Sequence, residues 1–261
     1  MNKKVVVIKL GGSVITKKDK PFSIRKEVIE SLVKELKTFK NKLSLVIVHG
    51  GGSFGHPIAK KYKINEGIKD TGQLIGVAEV RYWMTKLNTI ILEEMLKEKL
   101  PVFPFHPSSF VMTSSHGIFL LFSDPIKAAL ERGLIPLTFG DVVLDKNKGV
   151  SILSGDDLAC KLSIELKAKM LVYGVDVDGV YIFNTSGEDV PAKTLSLSEI
   201  NKVHFVKNKR MDVTGGMRHK LEVASEAVKG GIKVIIGNLT IPGNLSNILS
   251  GDEGKYTVLL P

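Results

Sequence analysis

Two short apolar runs, residues 5–10 (Val-Val-Val-Ile-Lys-Leu) and 43–48 (Leu-Ser-Leu-Val-Ile-Val), each pass straight into a cluster of glycines. Strands this continuously apolar are expected where both faces of a sheet are covered, as in parallel sheets flanked by helices. Their ends then fix where a ligand can sit, because open α/β sheets bind ligands outside the carboxyl ends of their strands. The second cluster, His49-Gly50-Gly51-Gly52-Ser53-Phe54-Gly55-His56-Pro57, holds four glycines within six positions. Backbone N–H groups free of side chains can approach an anion there, a phosphate above all. Lys9-Leu10-Gly11-Gly12-Ser13 closes the first run, and Thr214-Gly215-Gly216-Met217 opens a later helix. Three such loops point to a site for more than one phosphate.

Strands and helices continue to alternate. Ile24, Val28, Leu32 and Leu36 recur at helical spacing with Ser23 as the expected N-cap, and a long helix is expected over about 72–99, ending before Pro101. Strands are expected at 102–105 and 134–139, separated by a hairpin-like stretch and a helix begun at Asp124-Pro125. Further strands are expected at 142–144 and 150–153, around the turn Asp145-Lys146-Asn147-Lys148-Gly149, and at 170–173, 232–236 and 257–260. The polar stretch 184–208 is expected to be mobile. The expected fold class is α/β: an open, mainly parallel sheet sandwiched by helices, one domain over 1–261 with two lobes sharing the sheet.

Charge narrows the partners. Lysine and arginine outnumber the acids 37 to 27, a formal charge of +10. The lysines are scattered along helices (Lys34, Lys37, Lys40, Lys42), with no arginine-rich block, zinc-finger spacing or RNA-binding signature. A solvated basic surface that attracts anionic small molecules is the plainer reading than nucleic-acid binding. No apolar run approaches the roughly 20 residues that span a bilayer, and Met1-Asn2-Lys3-Lys4 leads straight into a strand rather than a signal peptide. The single cysteine, Cys160, lies among Leu158, Ala159 and Leu162 and reads as a packed helical thiol, in keeping with a reducing cytoplasm. The G-x-x-x-x-G-K-[ST] loop, the H-R-D and D-F-G motifs of protein kinases, and a framed G-x-G-x-x-G are all absent.

Four segments together resemble the amino acid kinase family. Lys9-Leu10-Gly11-Gly12-Ser13 is similar to its opening motif and His49-Gly50-Gly51-Gly52 to its substrate loop. Asp176-Val177-Asp178-Gly179-Val180-Tyr181 is similar to its nucleotide-side motif, and Asp212-Val213-Thr214-Gly215-Gly216-Met217 with Lys220 to its last phosphate loop. They stand in family order. Within the family, Gly52-Ser53-Phe54-Gly55-His56-Pro57 resembles the isopentenyl phosphate kinases, whose members carry a histidine here to grip a monophosphate. Thr16-Lys17-Lys18, Pro107-Ser108-Ser109-Phe110 and Ser154-Gly155-Asp156-Asp157 resemble the same branch. A fosfomycin-type kinase of a small phosphate or phosphonate is an alternative around the same histidine, and a basic nucleotide- or nucleic-acid-binding regulator is a third reading.

The resemblance implies the amino acid kinase fold, with an acceptor-binding lobe over about 1–165 and an ATP-binding lobe over about 166–261. It implies phosphoryl transfer from ATP, which carries Mg2+ with it, to isopentenyl phosphate, in a cytoplasmic enzyme of a family that often forms dimers. The apolar helix near 75–96 is a candidate for that interface. Lys9, Lys18 and Lys220 are implied as charge stabilisers, Asp156 as the carboxylate that orients them, and His56 as the acceptor phosphate's partner. The bland alternatives are an edge-strand lysine at 9, a surface lysine at 18, a solvated helix lysine at 220, an N-cap or first-turn acid at 156, and a helix-capping or surface histidine at 56. Gly50, Gly51, Gly55 and Gly155 are expected at the acceptor. Gly11, Gly12, Ser13, Asp176, Asp178, Gly179 and Gly216 are expected at ATP, which Gly51 and Gly55 also adjoin. No protein cage for a metal is expected. Val77, Val80, Val142 and Ile152 are candidates for the apolar tail pocket, with ordinary core packing as the alternative. His49 is expected to pack at the base of its loop rather than to act in catalysis.

Overall fold

Both apolar runs lie side by side at the centre of an eight-stranded sheet in the computed structural model, which describes residues 3–183, 188–203 and 216–261. The first part of the chain contains β1 (Lys4–Leu10), α1 (Gly12–Ile15), α2 (Lys26–Phe39), β2 (Leu43–His49), α3 (Gly52–Lys61), α4 (Thr71–Lys97) and β3 (Val102–Pro104). Next come the hairpin β4 (Val111–Ser114) and β5 (Gly117–Leu121), α5 (Asp124–Glu131), β6 (Ile135–Phe139), the hairpin β7 (Asp141–Asp145) and β8 (Gly149–Leu153), and α6 (Gly155–Glu165). Beyond these lie β9 (Met170–Val175), β10 (Tyr181–Phe183), β11 (Asp189–Pro191), β12 (Thr194–Ser196), α7 (Gly216–Lys229), β13 (Lys233–Asn238), α8 (Asn244–Ser250) and β14 (Tyr256–Leu260).

The large sheet runs β12-β14-β13-β9-β1-β2-β6-β3, and every neighbouring pair is parallel except β13 with β14. A smaller sheet, β5-β4-β7-β8, carries the two hairpins. Because side chains alternate along a strand, the two faces of β1 and β2 serve different layers. Val6, Ile8, Leu10, Leu45 and Ile47 pack with Ile29 and Leu32 of α2, Leu87 and Ile91 of α4, and Leu245 of α8. Val7, Val46 and Val48 pack with Leu158 and Leu162 of α6 and Leu221 and Ala224 of α7. The same parity turns Lys9 towards α6 and α7, and His49 towards α4. Among the described residues, no helix is long and apolar enough to cross a membrane.

One local expectation is corrected. Ser23 does not cap α2, which begins at Lys26 after Arg25. Residue 24 is instead held in an antiparallel bridge with Thr16, and the Lys17 N–H donates to the Ser23 carbonyl at 2.9 Å. Within the polar stretch 184–208, β12 pairs with β14 as an outer strand of the large sheet. The parts of that stretch at 184–187 and 204–208 lie outside the described residues.

The helix α8 depends on a partner from far along the chain. Its N-cap, Gly243, supplies no side chain. Glu35 of α2, 9% exposed, takes the role: its carboxylate accepts from Gly243 N–H at 3.0 Å and Ser246 N–H at 2.7 Å. A carboxylate there satisfies orphan donors and faces the positive end of the helix. Glu35→Ala is expected to cost about 1–2 kcal/mol, the scale of a lost N-cap. Calorimetry should show a melting point lower by roughly 2–8 °C.

Candidate active site

The carboxyl ends of β1, β2 and β9 stop level with one another, Leu10 beside His49 on one side and Gly174 on the other. The loops that follow are therefore neighbours. Gly50 N–H donates to the Leu10 carbonyl at 2.9 Å, Gly11 N–H to Gly174 at 3.1 Å, and Gly140 N–H to His49 at 2.9 Å. The two glycine loops touch backbone to backbone: a Cβ on Gly12 would stand 2.5 Å from the Gly52 nitrogen. Gly52 itself has a φ of 46°, which side chains disfavour. Glycine is thus required on both loops for them to share one floor.

Above that floor sits a buried ion cluster. The Lys9 ammonium lies 2.8 Å from Asp156 Oδ1, and the Lys220 ammonium 2.7 Å from Asp156 Oδ2. All three residues are at most 7% exposed. Burial would raise the Asp156 carboxyl, but the charges of Lys220 and Lys9 outweigh it and hold the group well below the ordinary carboxylate range. One carboxylate between two ammonium groups leaves a formal surplus of positive charge, which suits a polyanion. The Gly50 backbone lies against this cluster, since a Cβ there would be 3.5 Å from Lys9 Nζ, and Gly155 would meet Lys9 Cε at 3.4 Å.

The bland readings of the two lysines do not match the geometry, while Asp156 does lie in the first turn of α6. Lys9 lies in a central strand rather than at an edge, and Lys220 is buried rather than solvated. Asp156 is not the cap of α6, because Ser154 is: its hydroxyl accepts from Asp156 N–H at 3.1 Å. The side chain of Asp156 is thereby left for the lysines, while Asp157 pairs with His219 of α7 at 3.2 Å. Tyr173 supports the cluster from β9, donating its hydroxyl to the Asp156 carbonyl at 3.1 Å, and its ring lies 5.0 Å from Lys220 Nζ.

Lys18 is placed elsewhere. It is about half exposed and pairs with Asp176 at 3.2 Å instead of Asp156. Asp176 also accepts from the Ser13 hydroxyl at 2.8 Å; burial raises its carboxyl, yet the Ser13 bond and the Lys18 charge bring it below its usual range. Asp178 accepts from the Asn238 amide at 2.9 Å and pairs with Lys255 at 3.4 Å, and Gly179 packs tightly beneath Thr257. His56 is half-buried on the second turn of α3. Gly51 and Gly55 let that helix lie against Met84 of α4, whose sulfur would be 3.1 and 2.9 Å from a Cβ at those positions. Gly216 begins α7; Asp212, Val213, Thr214 and Gly215 lie outside the described residues.

Val77, Val80, Val142 and Ile152 do come together, in one apolar cluster with Ile58, Met84 and Phe139. Val80 and Val142 are fully packed into it, so any surface offered to a ligand comes from the half-buried Val77 and Ile152. His49 is buried, stacked on Phe139, with ring nitrogens 3.2 Å from the Gly50 carbonyl and from Asn88 Oδ1. Burial pushes its pKa down to about 4, which keeps it neutral. Among the described residues, no group of three or more His, Cys, Asp or Glu side chains is arranged to hold a metal ion.

Sequence reasoning missed several supports: Thr16, Asn88, Tyr173 and Asp141. The last is buried at the start of β7 beside the Gly140–His49 contact, with Arg81 Nε at 3.3 Å. Burial, moderated by the Val142 N–H and Arg81, pushes its carboxyl up to about 6. A signal existed for Tyr173, which shares the parity of Leu171 and Val175 facing α6 and α7. None existed for Asn88 or Arg81, which look like ordinary positions of a long helix.

Comparison with known proteins supplies the family. The profile described as the amino acid kinase family matches residues 4–238. An isopentenyl phosphate kinase of Methanocaldococcus jannaschii is 37% identical over 230 residues, 84% of this chain and 86% of that protein. Its counterpart in Methanothermobacter thermautotrophicus is 34% identical over 264 residues, 97% and 98% of the two chains. The X-ray structure of an isopentenyl phosphate kinase superposes with a TM-score of 0.83 at 31% identity, covering 98% of this chain and 99% of that one.

Proposed function

This chain belongs to the amino acid kinase family, and from that premise we propose that it phosphorylates isopentenyl phosphate to isopentenyl diphosphate with ATP. The transfer is direct and in line, and serves isoprenoid biosynthesis by the alternative mevalonate route. The observation that carries the reading is the buried Lys9–Asp156–Lys220 cluster set against two touching glycine loops. Isopentenyl phosphate kinases that match nearly the whole chain name the acceptor.

The chemistry asks little of a general base. A phosphate monoester has its second pKa near 6, so the attacking oxygen is already mostly anionic at neutral pH. The obstacle is repulsion: two unit charges about 4 Å apart cost roughly 4 kcal/mol at an effective dielectric of 20. Lys9 and Lys220, oriented by Asp156, offset that charge, and the N–H groups of Gly11, Gly12, Ser13 and Gly216 add oriented dipoles for ATP. Lys18, held by Asp176, is assigned to the phosphoryl group in flight. His56 binds the acceptor phosphate with the backbone of Gly50, Gly51, Gly55 and Gly155, and Val77 and Ile152 face its tail. Magnesium arrives with ATP, held by the nucleotide's phosphates and water. The acceptor lobe (about 1–165), the ATP lobe (about 166–261), a homodimer and a cytoplasmic location belong to the same proposal.

A coupled assay of ATP consumption across isopentenyl phosphate, fosfomycin, N-acetylglutamate, aspartate, carbamate and UMP tests it. Isopentenyl phosphate should give the highest kcat/KM, and preference for any other acceptor refutes the reading. His56→Ala is expected to lower kcat/KM for the acceptor by at least about tenfold, the scale of one charge-assisted bond. Wild-type kinetics in that variant would remove His56 from the site.

A further inference from the structure

Lys18 rides on a loop that is tied to the helix carrying His56. Thr16 donates its hydroxyl to the Gly12 carbonyl at 2.6 Å and accepts from the Ser53 N–H at 3.1 Å, while the Ser53 hydroxyl donates to the Ser23 carbonyl at 3.3 Å. One more bond exists because of Pro57, which lies inside α3. In an uninterrupted helix the N–H of residue 57 would take the carbonyl of Ser53, and proline has none to offer. That carbonyl accepts instead from the Phe22 N–H, at 3.3 Å.

Phe22 makes this bond from a left-handed backbone, with a φ of 53°, a conformation that is unfavourable for a non-glycine residue. The residue is 36% exposed, so burial in the core does not explain it. What holds it is a stack on Trp83 of α4, with ring centroids 3.8 Å apart and planes 20° apart, and an edge contact with Phe54 at 5.9 Å. At its other side the loop reaches the ATP-side motif through Lys18 and Asp176.

We propose that Phe22 is a positioning residue for phosphoryl transfer. Its clasp on Trp83 and on the carbonyl freed by Pro57 makes α3 and the Lys18 loop one body, so His56 and Lys18 are set relative to each other before both substrates are bound. The catalytic half of this inference rests on the roles given above to Lys18 and His56; the clasp does not.

Trp83 is the single tryptophan of the chain, so its emission reports the clasp directly. In Phe22→Ala, emission should shift to the red, and trypsin should cut after Lys17 and Lys18 at least about tenfold faster, as local opening becomes easier. The kcat should fall about tenfold with KM for ATP within about twofold, the signature of misplacement rather than lost binding. The melting point should stay within a few degrees, and Phe22→Tyr should restore all readouts. Unchanged emission and cleavage in Phe22→Ala overturn the clasp, and a loosened loop with unchanged kcat overturns its role in transfer. If the wild-type protein leaves isopentenyl phosphate untouched, the assigned reaction falls, while emission and cleavage still decide the clasp.

Discussion

Asp156→Asn is expected to destabilise the protein by about 3–5 kcal/mol, the cost of leaving a buried charge without its partner. The substitution preserves volume but removes the carboxylate that, among the described residues, lies between the Lys9 and Lys220 ammonium groups, both 7% exposed. For a chain of this size the melting point should drop by roughly 10 °C. On the proposed reading ATP brings phosphate charge to the same lysines, so saturating ATP should raise the melting point of the variant more than that of the wild type. A variant that melts with the wild type would mean that the lysines turn out to water and that the cluster is not rigid. The pH dependence has a defined sign. The folded carboxyl is depressed, so its contribution is complete above the ordinary Asp value of about 3.9 and is lost as pH falls through the lower folded value. Between pH 5 and 8 this group should add no slope to stability.

Lys220→Ala should leave the fold far less damaged, because Asp156 keeps Lys9 at 2.8 Å. On the proposed reading its effect belongs to the nucleotide. Removing one preorganised cationic donor from the phosphoryl being transferred should lower kcat/KM for ATP about 100- to 1,000-fold. Isopentenyl phosphate should still bind with nearly wild-type affinity in calorimetry, since His56 and the loop after β2 are untouched. Equal loss of both substrates would show that Lys220 holds the whole site together instead of serving the ATP side. The contrast is the useful result: one neutralisation damages the fold, the other a single substrate.

Much of this was legible in local pattern. The glycine loops, the near-continuous apolar strands and the order of the four motifs pointed to the parallel sheet and to the family. Period-two alternation also oriented Lys9, since a residue beside Ile8 and Leu10 must face the layer opposite theirs. Other features had no local signal. Residue 24 has helical spacing with Val28 and Leu32, yet it pairs with Thr16, because closing the Lys18 loop outweighs one more turn of helix. Asp156 is a first-turn acid of α6, and nothing local shows that its side chain meets two lysines from distant segments. The tail residues Val80 and Val142 carry the same hydrophobic signal whether they line a pocket or fill a core, and packing places them in the core.

The chemistry of the loops and the side of the sheet each strand residue faces follow from neighbours in the chain, since φ/ψ freedom and alternation are local properties. The pairing of Lys9 with Asp156 and Lys220, and of Lys18 with Asp176, does not. These groups come from β1, α6, α7 and two loops, and ionic contacts between distant segments depend on how helices dock on the sheet rather than on any spacing along it. The same holds for the Ser53 carbonyl: Pro57 frees it, and only the folded chain brings up the Phe22 N–H that donates to it.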